Sequence, residues 1–150
     1  NTSAVSVNNG VWWNNTSATA TSLILGPAAG LNANGDNYIS YNFAHNPSKG
    51  RFAGSYTGTG AAGNKIVTGF KVDWWLRKCT TNTGDWLMVD VIRSGGSALD
   101  DYLAANNTGV EGVLTPLFVS DADGFTVDAT SAGINGLADN VIFYAIGTDL

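Results

Sequence analysis

The residues best suited to chemistry are indole and carboxamide side chains that stand next to each other. Trp12 and Trp13 are followed at once by two asparagines, and a second tryptophan pair begins at Trp74. Sugars stack their apolar faces on indole rings, and neighbouring carboxamides supply the hydrogen bonds that orient them. Because adjacent residues of a strand point to opposite faces, one member of the second pair can face solvent. Core packing is the alternative for each tryptophan, and the predicted glycan platform consists of Trp12, Trp13, Asn14, Asn15 and Trp74.

Few residues in this chain are candidates for catalysis. A nucleophilic triad needs a histidine base, and the single histidine, His45, stands in a connector beside Pro47. Glycoside hydrolysis needs two carboxylates roughly 5–9 Å apart across a sugar cleft, for which Asp100, Asp101 and Glu111 are the candidates. We predict that the chain has no catalytic residues, and a small polysaccharide depolymerase is the less favoured alternative.

Two loop motifs resemble ligand sites without completing them. The segment 121–124, DADG, looks like the start of a calcium loop, but the glutamate expected at loop position 12 is missing. A tight hairpin turn is the favoured interpretation, since glycine and aspartate suit such turns. The glycine-rich segment 57–63, TGTGAAG, lacks the Lys-Ser/Thr of a phosphate-binding loop. The sequence therefore predicts no metal ion and no cofactor.

The balance of residue types is that of a weakly charged protein with many turns. Of the 150 residues only 13% are charged, the formal net charge is −5, and 19 residues are glycine. Tight binding to a phosphate backbone requires a cationic surface. A membrane-spanning helix requires an apolar run of roughly 18 residues. The chain has neither feature, and we expect no nucleic-acid partner and no membrane partner.

The stretch 69–93 is the element around which the other elements are arranged. Two apolar runs, 72–76 and 86–92, flank the polar turn 80–85, and both are rich in aromatic and β-branched residues. Such runs predict two strands of a hairpin. A strand that is apolar on both faces is usually enclosed in a core. We therefore predict an all-β fold, an antiparallel β-sandwich with this hairpin at its centre. The segments 117–119 and 125–127 predict a second hairpin, and ALDDYLAA at 98–105 predicts about two helical turns.

An internal repeat organises the two ends of the chain. Residues 133–146, GINGLADNVIFYAI, are similar to the start of residues 30–44, GLNANGDNYISYNFA, at an offset of 103 positions. In both copies an Asp-Asn pair precedes an alternating run, which predicts strands at 38–44 and near the C-terminus. The domain organisation that follows begins with a polar N-terminal segment (1–10) and ends with a complete β-sandwich module (46–150). Between them, residues 11–45 are either the C-terminal part of a preceding repeat or N-terminal strands. We expect residues 11–45 to pair with the following module or with a neighbouring chain.

The order of the motifs resembles a module of bacteriophage tail and tail-fibre-like proteins. The resemblance covers roughly residues 12–146, and the order and spacing of its motifs are more specific than any one of them. Val72 departs from the family pattern, which usually has proline there. The matching motifs are YTGTG (56–60), TGF (68–70), Lys78, TGDW (83–86), Asp90 with Arg93, DGF (123–125), and Asn135 with Tyr144.

This resemblance implies a jelly-roll-like, concanavalin-A-like sandwich and a structural role in the virion. The chain would belong to a tail fibre or another virion appendage, with copies of itself and other virion proteins as partners. It would assemble through symmetric subunit contacts, and a host-surface glycan is an expected ligand. The resemblance transfers no catalytic or metal residues. A carbohydrate-binding module without a structural role is the alternative.

Overall fold

The computed structural model describes residues 14, 19, 21–96, 99–113 and 118–147. Within these residues, helical structure is confined to a short helix, α1 (Ala29–Asn32), and a 3-10 turn at Pro47–Lys49. The strands are β1 (Arg51–Thr57), β2 (Asn64–Val67), β3 (Trp74–Cys79), β4 (Leu87–Asp90), β5 (Asp101–Ala104), β6 (Gly112–Val113), β7 (Phe118–Asp121), β8 (Gly124–Val127) and β9 (Asn140–Ile146).

The strands form two antiparallel sheets. The larger sheet has the order β1-β9-β3-β4-β5-β6, and the smaller has the order β2-β8-β7. Every pairing within them is antiparallel. The predicted central hairpin is β3 and β4, in the middle of the larger sheet, and the second predicted hairpin is β7 and β8. The predicted all-β antiparallel fold is therefore confirmed.

An aromatic cluster joins the two sheets. Trp75 of β3 is completely buried, and its ring centroid lies 4.3 Å from that of Phe118 and 4.5 Å from that of Phe125, both on the smaller sheet. Phe143 of β9 packs edge-on against Phe125 at 5.2 Å. Removing a buried tryptophan side chain typically destabilises a protein by about 3–5 kcal/mol. Trp75 is therefore the member of its pair that belongs to the core.

The central hairpin is shifted relative to the predicted runs. β3 begins at Trp74 and continues to Cys79, whereas β4 begins only after Trp86. The backbone N–H of Trp86 donates to Oδ1 of Asn106 at 2.7 Å, and Asp85 accepts a hydrogen bond from the same asparagine at 2.8 Å. A side chain thus takes the backbone donor that a longer strand would have used.

Two further predictions of secondary structure were wrong. The described part of the segment ALDDYLAA, residues 99–105, is not helical, because Asp101–Ala104 form β5 between β4 and β6. Cross-strand pairing outweighs a weak local helix propensity. Residues 38–44 alternate as a strand would, but they are not a strand in the structure. The described residues divide into two compact units, one up to Asn42 and one from Phe43 onward, and all the strands lie in the second.

Candidate functional site

Two of the five predicted platform residues lie in the described part of the chain. Trp12, Trp13 and Asn15 lie outside it. Asn14 is exposed in a turn and has a positive φ of 51°. Trp74 is half-buried at the start of β3. The structure therefore gives Trp74 surroundings that can be analysed, and the first tryptophan pair stays a prediction.

Trp74 lies on the outer face of the larger sheet, on the side of β3 opposite to Trp75. The strand register places it between Ile146 of β9 and Asp90 of β4. Farther along the same face, Asp101 of β5 pairs with Val113 of β6. We call the side chains of Ile146, Trp74, Asp90, Asp101 and Val113 the outer row. It places an indole between an aliphatic and a carboxylate neighbour.

Arg93 connects this row to the loop before β6. Its Nη2 lies 3.3 Å from Oδ2 of Asp90, and its Nε lies 3.0 Å from Oε2 of Glu111. The backbone N–H of Arg93 also donates to Oδ1 of Asp90 at 2.7 Å. Partly exposed ion pairs contribute little to stability, about 0–1 kcal/mol each. Their effect here is to fix where the Asp90 carboxylate points.

Ser94 positions the next carboxylate of the row. Its Oγ accepts hydrogen bonds from the backbone N–H groups of Asp100 and Asp101, both at 3.2 Å. These two hydrogen bonds fix the backbone at the start of β5. Asp101 is therefore held on the same face of the sheet as Asp90, one strand further along the outer row. An indole beside oriented carboxylates can stack on a sugar ring and accept hydrogen bonds from its hydroxyl groups.

The single histidine and the DADG segment, which the sequence offered as candidate sites, both make contacts that hold the fold together. The ring of His45 lies with Nδ1 3.0 Å from the carbonyl oxygen of Ala53 and 4.8 Å from the ring of Phe52. The DADG segment is the turn between β7 and β8, as predicted. Its exposed Asp123 forms an ion pair with Lys65 at 2.8 Å, and this hydrogen bond lowers the pKa of the Asp123 carboxyl. Among the described residues, no group of three or more His, Cys, Asp or Glu side chains could hold a metal ion.

A buried polar cluster was missed at the sequence level. Arg77, on the core side of β3, is only 4% exposed, and burial lowers the pKa of its guanidinium. Its Nη1 donates to the carbonyl oxygen of Gly133 at 2.5 Å, while the N–H of Gly133 donates to Oδ2 of Asp139 at 2.6 Å. The Tyr56 hydroxyl donates to the carbonyl oxygen of Ile134 at 2.6 Å, and burial raises the pKa of this phenol far above its usual range. These bonds hold the turn at residues 131–139.

Asn135 ties that turn to the glycine-rich loop. Its side chain is completely buried. Its Oδ1 accepts from the N–H of Thr59 at 3.1 Å and from Nδ2 of Asn64 at 2.8 Å. Its Nδ2 donates to the carbonyl oxygens of Ala61 and Ala129, both at 2.8 Å. The segment 57–63 is therefore a loop closed on an asparagine. The sequence feature that could have pointed to this cluster is the repeat, which places Asn and Asp at equivalent positions in both copies.

Comparison with known proteins identified a family for this chain. The model of a family described as a domain of unknown function, DUF7483, matches residues 1–148. No curated protein and no solved structure matched the chain. In the part of the chain that the structure describes, helices are too short or too polar to cross a membrane.

Proposed function

The chain belongs to the DUF7483 family, and we propose that it is a non-enzymatic structural module of a bacteriophage tail fibre or another virion appendage. In this proposal the sandwich is jelly-roll-like, and copies assemble through symmetric contacts with one another and with other virion proteins. Adhesion to a host-surface glycan accompanies the structural role. The proposal needs no cofactor, nucleic acid or membrane.

The observation that carries the structural role is the repeated turn. In the first copy the N–H groups of Leu31 and Asn32 donate to the carbonyl oxygen of Ala28. In the second copy the N–H groups of Ile134 and Asn135 donate to that of Ser131. Each position is displaced by the same 103 residues as the sequence repeat. Self-similarity at a fixed offset is the sequence signature of a chain built from repeated units.

The mass of the native particle in solution tests this role. We expect light scattering to give an integer multiple of the 15.6 kDa chain that does not change on tenfold dilution. Mass spectrometry of the same sample fixes the mass of the single chain. A stable monomer would contradict assembly between copies and would favour a carbohydrate-binding module.

The outer row favours a glycan as the ligand. Trp74 is half-buried next to a fixed carboxylate, and an indole in that position can take a sugar ring on its exposed part. We expect binding on a glycan array that is lost in Trp74→Ala. The matched control is Val67→Ala, since Val67 is exposed but lies on β2 of the smaller sheet. Glycan binding that survives in Trp74→Ala would exclude the outer row as the binding site. Release of products from bacterial polysaccharide would instead support the depolymerase.

A further inference from the structure

We propose that the first turn, residues 28–36, is a docking site for the glycine-rich strand-and-loop of another module, of the type found at residues 51–64 of this chain. The contact would join successive modules, and it rests on the modular assembly proposed above. The second turn, residues 131–139, is the template, because it already binds such a segment within the chain.

The two turns share part of their backbone geometry, although Gly133 has a positive φ of 80° whereas its equivalent Gly30 lies in the helix α1. The N–H of Asp36 donates to the carbonyl oxygen of Ala33 at 3.3 Å, and the N–H of Asp139 donates to that of Gly136 at 3.0 Å. Gly35 and Ala138, which precede those aspartates, both have positive φ, 88° and 65°. A positive φ is uncommon for alanine, so the shared conformation is a specific feature of the turn.

The second turn shows what this geometry binds. The N–H groups of Gly58 and Gly60 donate to the carbonyl oxygens of Asp139 and Asn135, at 2.7 and 2.8 Å. The N–H of Ala138 donates in return to the carbonyl oxygen of Gly58 at 3.0 Å. A side chain at position 58 would collide with the carbonyl oxygen at position 136. The turn therefore selects a glycine-rich partner that allows backbones to approach closely.

The carboxamide of Asn135 completes the recognition. It accepts hydrogen bonds from the Thr59 N–H and the Asn64 side chain, and it donates to the Ala61 carbonyl. An asparagine presents both an acceptor and two donors. A partner must therefore supply an amide donor, a carbonyl acceptor and an asparagine at the spacing of residues 59–64.

The first turn displays the equivalent groups to solvent. Asn32 and Asp36 stand where the second turn has Asn135 and Asp139, and both are exposed. The neighbouring Tyr41 is 80% exposed. Tyr144, the equivalent of Tyr41, is only 7% exposed. Asparagine and aromatic groups that are enclosed in one copy are thus uncovered in the other.

The partner is a further module rather than a second copy of this chain. The glycine-rich loop of each copy is already closed on its own Asn135, through contacts made by both side chain and backbone. Releasing it would leave the completely buried Asn135 without these partners. Buried polar groups without partners are strongly unfavourable. A glycine-rich segment of another module that has not yet bound a turn can dock without breaking hydrogen bonds of this kind.

A peptide with the sequence of residues 51–64 tests the contact on the full chain. We expect a saturable rise in the fluorescence anisotropy of the labelled peptide as the protein is added. The rise should be absent with Asn32→Ala and retained with Asn34→Ala, a matched control because Asn34 is an exposed asparagine of the same turn. A peptide that carries the change Asn64→Ala should bind the native chain about fivefold more weakly, which is the effect of losing one hydrogen bond.

Three results would overturn the proposal. The first is no binding by the native chain, and the second is equal binding by Asn32→Ala, which would place the peptide elsewhere. The third is self-association of the chain that Asn32→Ala abolishes without peptide binding, which would make a second copy the partner. The solution mass without peptide tests the assembly of copies separately, so failure of one proposal is distinguishable from failure of the other.

Discussion

Replacing Asn135 with alanine should destabilise the second module far more than the same change at Asn32. The substitution removes the carboxamide that bonds Thr59, Asn64, Ala61 and Ala129. The bond to the Ala129 carbonyl is buried, while the others lie closer to solvent and can be partly replaced by water. With about 0.5–1.5 kcal/mol for each hydrogen bond and a further penalty for the buried carbonyl, we expect a loss of about 2–4 kcal/mol.

Urea unfolding followed by tryptophan fluorescence measures this loss, because Trp75 lies in the core of the same sandwich. For a chain of this length, the loss corresponds to a fall in melting temperature of roughly 4–16 °C. Asn32→Ala removes an exposed side chain and should stay within about 0.5 kcal/mol of the native protein. Equal effects of the two substitutions, or a change below about 0.5 kcal/mol for Asn135→Ala, would refute the role of Asn135 as the anchor of the loop.

Three further predictions concern the core, the loop and pH. Trp75→Ala should lose about 3–5 kcal/mol, a large part of the stability of an ordinary domain, and near-ultraviolet circular dichroism should show the loss of fixed aromatic packing. Gly58→Ala should lower the free energy of unfolding in urea by about 1–3 kcal/mol, because its Cβ meets the Gly136 carbonyl oxygen. Gly84→Ala should leave it unchanged, because the Cβ there meets open space. Because burial raises the pKa of Tyr56, its contribution to stability is complete below about pH 10 and is lost as pH rises further. Tyr56→Phe should therefore show a shallower fall in stability between about pH 10 and 12, and parallel curves would contradict the shift.

The candidate site shows where prediction from the sequence ends. Alternation along a strand establishes that Trp74 and Trp75 face opposite ways. It does not decide which of them faces the smaller sheet, since that depends on Phe118 and Phe125, more than 40 residues away in the chain. The neighbours of Trp74 are likewise set by strand register. Only the fold brings Glu111 to Arg93 and aligns Asp90 with the indole.

The all-β class, the central hairpin and the DADG turn were determined by the sequence alone, because alternation, β-branched residues and turn-forming glycines act over a few neighbouring positions. The repeat at 103 residues also predicted two related turns, which share a hydrogen-bond pattern although Gly133 has a positive φ and Gly30 does not. Tertiary structure decided the rest, since ALDDYLAA becomes a strand only between β4 and β6. It also made Asn135 a buried anchor and left Asn32 exposed. Similar local sequences form related turns, but burial depends on which distant segment reaches them.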